Sequence, residues 1–201
     1  MKLYGYPTFR SQKIAIALTE LGLEHERVKI DLGVGEHRSE EFKEIHPLGK
    51  VPVLEDDGML LWESNAILAY LGEREQRLWP SDPKGKADAL KWLFFCSSSL
   101  EPSAGTLWYE DVIAPRIGKE KNEELIAEHV KKMLPMAALL EDHLQSNGWM
   151  IGDEYSLVDA AFGPVLGALG MSRFNILGYP GLQAYCMLTK ERASWGTIRK
   201  F

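Results

Sequence analysis

Val51-Pro52-Val53-Leu54-Glu55-Asp56-Asp57-Gly58-Met59-Leu60-Leu61-Trp62-Glu63-Ser64-Asn65-Ala66-Ile67-Leu68 is the stretch on which the fold turns. Two short apolar runs, Val51 to Glu55 and Met59 to Trp62, flank Asp56-Asp57-Gly58. Aspartate and glycine tolerate the left-handed backbone of a tight hairpin turn, so the runs read as antiparallel neighbours. Ser64 to Glu73 then carries Ile67, Leu68 and Leu71 at helical spacing, with Ser64 as a good N-cap. A proline at the second position of the first run restricts where that strand can pair. It reads either as an edge strand opening after a loop, or as a cis Val51–Pro52 bond that turns the Val51 main chain outward.

Upstream, Lys2 to Gly5 reads as a strand and Ser11 to Leu21 as a helix with Ile14, Ala17, Leu18 and Leu21 on one face. Gly22 suits its left-handed end. Glu26 to Asp31 alternates as a strand does, and Glu40 to Ile45 is a short amphipathic helix. The order is β-α-β-α-β-β-α. Its βαβ opening implies parallel pairing and the hairpin adds antiparallel strands, which predicts a mixed four-stranded sheet in a thioredoxin-like α/β domain.

Downstream, Trp79-Pro80-Ser81-Asp82-Pro83-Lys84-Gly85 cannot continue a helix, and everything after it reads as helical. Helices are predicted from Lys86 to about Leu107 with an irregularity near Pro102, and from Glu123 to Leu144 with a kink at Pro135. Others run from Leu157 to Gly170 and from Gly181 to Glu191. The expected organisation is a thioredoxin-like domain at 1–77, a linker at 78–85 and an all-α domain at 86–201. Ser156 and Asp159 stand at capping-box spacing before the third of these helices, a structural signature.

The 201 residues are 45% hydrophobic and 26% charged, ordinary for a globular chain, and the net charge of −6 argues against nucleic acid. No apolar run is long enough to span a membrane. The opening residues do not read as a signal peptide, so a cytoplasmic protein is expected. Cys96 and Cys186 lack metal or redox spacing, and the five histidines form no ligand pair, so no metal is expected.

Chemistry concentrates in three segments. Ser64 opens a helix whose positive end suits a carboxylate, and Glu63 beside it suits an ammonium; together they fit the two ends of an amino acid. Pro47-Leu48-Gly49-Lys50-Val51-Pro52 offers a main chain and a cation. Pro7-Thr8-Phe9-Arg10-Ser11-Gln12-Lys13 precedes the first helix and holds hydroxyls and cations. Ser11 also reads as the cap of that helix.

Together, the Pro47–Pro52 loop and the Glu63-Ser64-Asn65-Ala66-Ile67 helix start resemble the glutathione-binding half of the cytosolic glutathione transferases. His46 stands where that family carries asparagine, and Gly35-Glu36-His37-Arg38 is similar to a stretch of its phi class. The resemblance covers Met1 to about Leu71 and continues more weakly beyond. It implies that Val51 pairs with the cysteinyl unit of glutathione, that Glu63 and Ser64 hold the γ-glutamyl end, and that Lys50 and His37 lie near the carboxylates, with Arg38 a weaker candidate.

Aligned on Lys13-Ile14, Thr8 falls where several classes carry a catalytic serine and Arg10 where the beta class carries cysteine. Thr8 is thus the first choice as hydroxyl donor to the thiol, Arg10 a charge partner and Ser11 an alternative donor. The family's standard serine, tyrosine or cysteine is missing. The resemblance further implies a homodimer, a role in detoxification, and an apolar electrophile seated against the helical domain, with Ala104 to Ile117 as a candidate wall. The expected reaction is attack of enzyme-bound glutathione thiolate on that electrophile. The alternatives are a glutathione-dependent peroxidase or reductase on the same site, and a non-catalytic binding protein.

Overall fold

A computed structural model describes residues 1–199; the last two residues of the expected helical domain, 200 and 201, lie outside it. The elements are β1 (Lys2–Gly5), α1 (Phe9–Leu21), β2 (Glu26–Lys29), α2 (Glu40–Ile45), β3 (Val53–Asp56), β4 (Met59–Trp62) and α3 (Ser64–Glu75). They continue with α4 (Pro83–Phe95), α5 (Glu101–Trp108), α6 (Ala114–Arg116), α7 (Glu123–Asn147), α8 (Leu157–Leu169) and α9 (Pro180–Glu191). The sheet order is β2-β1-β3-β4, with β1 and β2 parallel and the other neighbours antiparallel. This is the mixed four-stranded arrangement expected, followed by helices.

Period-two alternation decides which side of the sheet each residue serves. Leu3 and Leu54 are cross-strand partners and both face α1 and α3, in a core shared with Ile14, Leu18, Ile67, Leu68 and Leu71. Tyr4 and Val53, the next pair, face the other way, into a small cluster with Ile30 and Phe42 of α2. Removing each such leucine from water is worth roughly 2 kcal/mol. α1 is covered on both sides: Ser11, Lys13 and every residue from Ile14 to Leu18 are buried, because α8 packs across it opposite the sheet.

Several boundaries differ from the sequence reading. α1 begins at Phe9, so Thr8 and not Ser11 occupies the cap position. β2 stops at Lys29, and β3 begins at Val53, after the proline that lacks a ladder donor. Ser64 is the first residue of α3 rather than its cap; Glu63 takes the cap position with a φ of +70°. α4 starts at Pro83, inside the stretch read as linker, because Asp82 accepts the amides of Lys84 and Gly85 at 3.0 Å and proline suits the first helical turn.

α4, α5 and α6 run on through two wider, i→i+5 turns at Cys96–Leu100 and Tyr109–Ile113, so the irregularity lies before Pro102 as well as after it. α7 passes through Pro135, which lies on the exposed side, where water can reach the carbonyl that proline leaves unbonded. At α8 the expected capping box is present: Asp159 accepts the Ser156 amide at 2.8 Å and the Ser156 hydroxyl accepts the Val158 amide at 3.2 Å.

Candidate functional site

Topology gathers the chemistry at one end of the sheet. β1 ends there at Gly5 and β2 beside it at Lys29. β3 runs the opposite way to β1 and so begins there, and Trp62, which ends β4, pairs with Val53. The loops that follow β1 and β2, precede β3 and follow β4 therefore meet at one edge. These loops, with the first turns of α1 and α3, carry Thr8, Arg10 and Ser11; His37; Lys50 and Val51; and Glu63 and Ser64. The residues proposed from the sequence to bind or activate glutathione thus share this edge.

The Val51–Pro52 bond is cis. Val51 is half-buried, and among the described residues neither its amide nor its carbonyl has a hydrogen-bond partner. The loop before it is built tightly. Gly49 has φ +58°, and a Cβ there would lie 2.1 Å from the His37 carbonyl oxygen. Only glycine allows that approach, and it docks the Glu36–Arg38 turn against the loop that presents Lys50. His37 accepts from Arg38 Nε at 3.2 Å, and its buried Nδ1 has no hydrogen-bond partner among the described residues. Lys50 is exposed.

His46 explains its own departure from the asparagine pattern. Its Nδ1 accepts the Leu48 amide at 3.1 Å, the side-chain-to-backbone bond that an asparagine makes in such a turn. Its ring lies 5.2 Å from that of Trp62, which ties the loop to the end of β4. Burial, with Lys50 adding to it and Glu63 opposing, holds the ring below the ordinary histidine pKa. The neutral acceptor is thus the favoured form.

Glu63 and Ser64 mark the third wall. A positive φ at a residue other than glycine costs about 1–3 kcal/mol and is held in place by its surroundings. Here the Glu63 carbonyl accepts the Ile67 amide at 3.0 Å, while its side chain is exposed. Ser64 is buried, and the Glu63 side chain at the cap position makes no capping bond. Neither α1 nor α3 has an acidic residue in its first turn, so both positive ends keep their charge toward the shared edge.

At the mouth of α1, Thr8 is half-buried, and its hydroxyl lies 3.5 Å from the Ser11 oxygen. Ser11 is fully buried and accepts the Tyr6 amide at 3.3 Å, so it holds the loop from beneath. Arg10 does not stand alone: its Nε donates to Glu101 at 2.8 Å, and its guanidinium lies 5.6 Å from the Phe9 ring centre. The fully buried Lys13 pairs with the same carboxylate and reaches Cys96 Sγ at 3.5 Å. The sequence reading passed over Lys13, Glu101 and His46 as functional residues. For Lys13 one signal was present: it lies beside the unbroken apolar run of α1 at a spacing that faces the core.

Phe9 approaches the start of the expected electrophile wall, since a Cβ on Gly105 would meet its ring at 3.5 Å. Further along, Tyr109 and Ile117 are exposed. Burial raises the Cys96 thiol to about 11 and the Cys186 thiol likewise, so neither cysteine is a ready nucleophile. Among the described residues, no group of His, Cys, Asp or Glu is arranged to hold a metal, and no helix is long and apolar enough to cross a membrane.

Two family models match the chain: the glutathione S-transferase N-terminal domain over residues 1–73 and its C-terminal domain over 88–187. Glutathione S-transferase F10 of Arabidopsis thaliana is 31% identical, with 96% of this chain and 93% of that protein covered. The disulfide-bond oxidoreductase YfcG of Escherichia coli is 29% identical over 96% and 92%. A glutathione transferase from Pseudomonas putida, solved with one glutathione disulfide bound per subunit, superposes with a TM-score of 0.88 at 26% identity, over 98% of this chain and 90% of that one.

Proposed function

The chain belongs to the glutathione S-transferase family, and from that premise we propose that it activates glutathione for attack on an apolar electrophile. The observation that carries the reading is the Val51 main chain, unpaired among the described residues and flanked at one sheet edge by the positive ends of α1 and α3. Glutathione is an extended tripeptide with two carboxylates and one ammonium. Val51 pairs with the main chain of its cysteinyl unit. Glu63 and Ser64 hold the γ-glutamyl end, with the carboxylate on the helix terminus and the ammonium on the Glu63 side chain. Lys50 and His37 face the glycyl carboxylate, where charge-assisted bonds are strongest.

The cysteinyl sulfur then lies at the start of α1. A free thiol is only a few per cent ionised at neutral pH. Thr8 stabilises the thiolate by donating its hydroxyl hydrogen, and Arg10 and the helix end do so by charge. Ser11 is the weaker candidate, because it is fully buried beneath the loop, out of reach of a ligand at the mouth. The thiolate attacks an electrophilic carbon, a C–S bond forms, and the leaving group departs with the bonding pair. The substrate sits against the segment 104–117, in a helical domain spanning 86–201, across a linker at 78–85 from a glutathione-binding domain at 1–77. The proposal includes a cytoplasmic homodimer with a role in detoxification; the exposed Leu48, Trp62 and Phe94 suit such pairing.

A second reading, glutathione-dependent reduction of a disulfide or hydroperoxide, is favoured by the name of the E. coli relative. It would proceed through glutathione thiols alone, because both cysteines are buried. The test has two stages. Retention on immobilised glutathione and a rise in melting temperature with free glutathione are expected; the absence of both sinks either reading. A turnover screen with a chloronitrobenzene, a hydroperoxide and a mixed disulfide then separates them, and conjugation is expected to dominate.

A further inference from the structure

Arg10, Lys13 and Glu101 form a cluster that spans the two halves of the molecule. Arg10 and Lys13 are one turn apart on α1, while Glu101 opens α5. Each oxygen of the carboxylate holds one cation: Oε2 takes Arg10 Nε at 2.8 Å and Oε1 takes Lys13 Nζ. The Glu101 side chain is 1% exposed and that of Lys13 is 0%. Arg10, at 51%, is the member that reaches solvent at the mouth of α1. Burial alone would push the Glu101 carboxyl up, but Lys13 and Arg10 together hold it below its ordinary value, so it stays an anion at neutral pH.

Two cations and one anion leave the cluster at +1. Without Lys13, Glu101 would only neutralise Arg10, and the mouth would lose its charge. Without Glu101, the Arg10 side chain would be an unanchored rotor, with conformational freedom to lose on meeting an anion.

We propose that Glu101 is a positioning residue that aims the Arg10 guanidinium at the glutathione sulfur, and that Lys13 is the buried counter-charge that keeps the cluster positive. This rests on the reading that glutathione places its sulfur at the start of α1. The acidity of the bound thiol is then set from the helical half, by a carboxylate that never touches the ligand.

The test is a pH titration of the ultraviolet thiolate band of glutathione bound to the whole protein, alongside glutathione affinity by calorimetry. Lys13→Met with Glu101→Leu removes one charge of each sign, keeps the net charge, and replaces a buried ion pair by apolar side chains, an exchange that folds commonly tolerate. The bound thiol should titrate about half a pH unit or more higher, roughly a threefold loss of thiolate at neutral pH. Arg10→Met, which leaves the buried pair intact, should move it in the same direction. Added to the pair variant, it should add little, because the three residues act as one unit. An unmoved titration in either variant, or full additivity, overturns the proposal. If the wild-type protein fails to bind glutathione, the underlying reading falls and this proposal with it; retained binding with an unmoved titration sinks this proposal alone.

Discussion

Thr8 holds the cap position of α1 without spending its hydroxyl on the cap, and the bond it donates to the Ser11 oxygen is long, at 3.5 Å, so a ligand can take its place. Thr8→Val keeps the shape and removes the donor. A tenfold or greater fall in kcat/KM for conjugation is expected, about 1.4 kcal/mol in the barrier, against less than about threefold for Ser11→Ala. Steady-state kinetics of both variants decide, and a larger deficit at Ser11 would reverse the assignment. Gly49→Ala sets a methyl against the His37 carbonyl and forces a positive φ on alanine. It should lower the melting temperature and weaken glutathione binding at least tenfold by calorimetry. His46 makes a pH prediction. Folding lowers its affinity for a proton, so the unfolded chain binds a proton that the folded chain refuses, and stability falls as pH drops below the ordinary value of about 6.5. His25 shifts the same way through burial and contributes to the same slope. His46→Asn keeps the turn acceptor and should flatten urea-derived stability between pH 7 and pH 5 relative to the wild type; an unchanged slope would remove His46 from the account.

Among the elements, α8 depends most on its first turn. It is buried almost throughout, and Asp159 accepts the amides of both Met150 and Ser156. Ser156→Ala should cost about 1 kcal/mol, at most about 2. Asp159→Ala should cost more, because it strands two buried amides as well as the cap; equilibrium urea unfolding measures both. The existence and order of the elements could be read because hydrophobic period and turn chemistry are local. Val28 and Ile30 alternate, Asp57-Gly58 makes a turn, and Ser156 precedes Asp159 by three. The starts of α1, α3 and α4 could not be read as well. Two residues able to cap stood close together at Thr8 and Ser11. At α3 a glutamate took a backbone conformation that its residue type disfavours. At α4 a proline read as a helix breaker served as a helix starter. The site divides in the same way. Val51, Lys50, Glu63 and Ser64 lie in contiguous motifs. Glu101 meets Arg10 and Lys13 across separations of 91 and 88 residues, and no local pattern announces partners so distant.

Over the whole molecule, the two halves share one core. α1 lies between the sheet and α8, and its far end is held by Glu20, which takes Arg192 through two bonds at 2.8 and 2.6 Å. Arg192 in turn lies 3.8 Å from the Tyr155 ring centre, and Trp195 packs on Gly163 and Gly167. Thermal unfolding followed by far- and near-ultraviolet circular dichroism should therefore give one coincident transition; two separated transitions would show that the halves melt independently. The burial of α1 on both flanks also limits how the protein can be taken apart. A fragment ending at residue 77 would keep every motif that reads as glutathione-binding, yet it would carry Ala15, Ile16 and the Lys13 ammonium as bare surface. The first seventy-odd residues are thus a module in sequence but not an autonomous body, and any chimera that borrows them must bring a helix to lie where α8 lay.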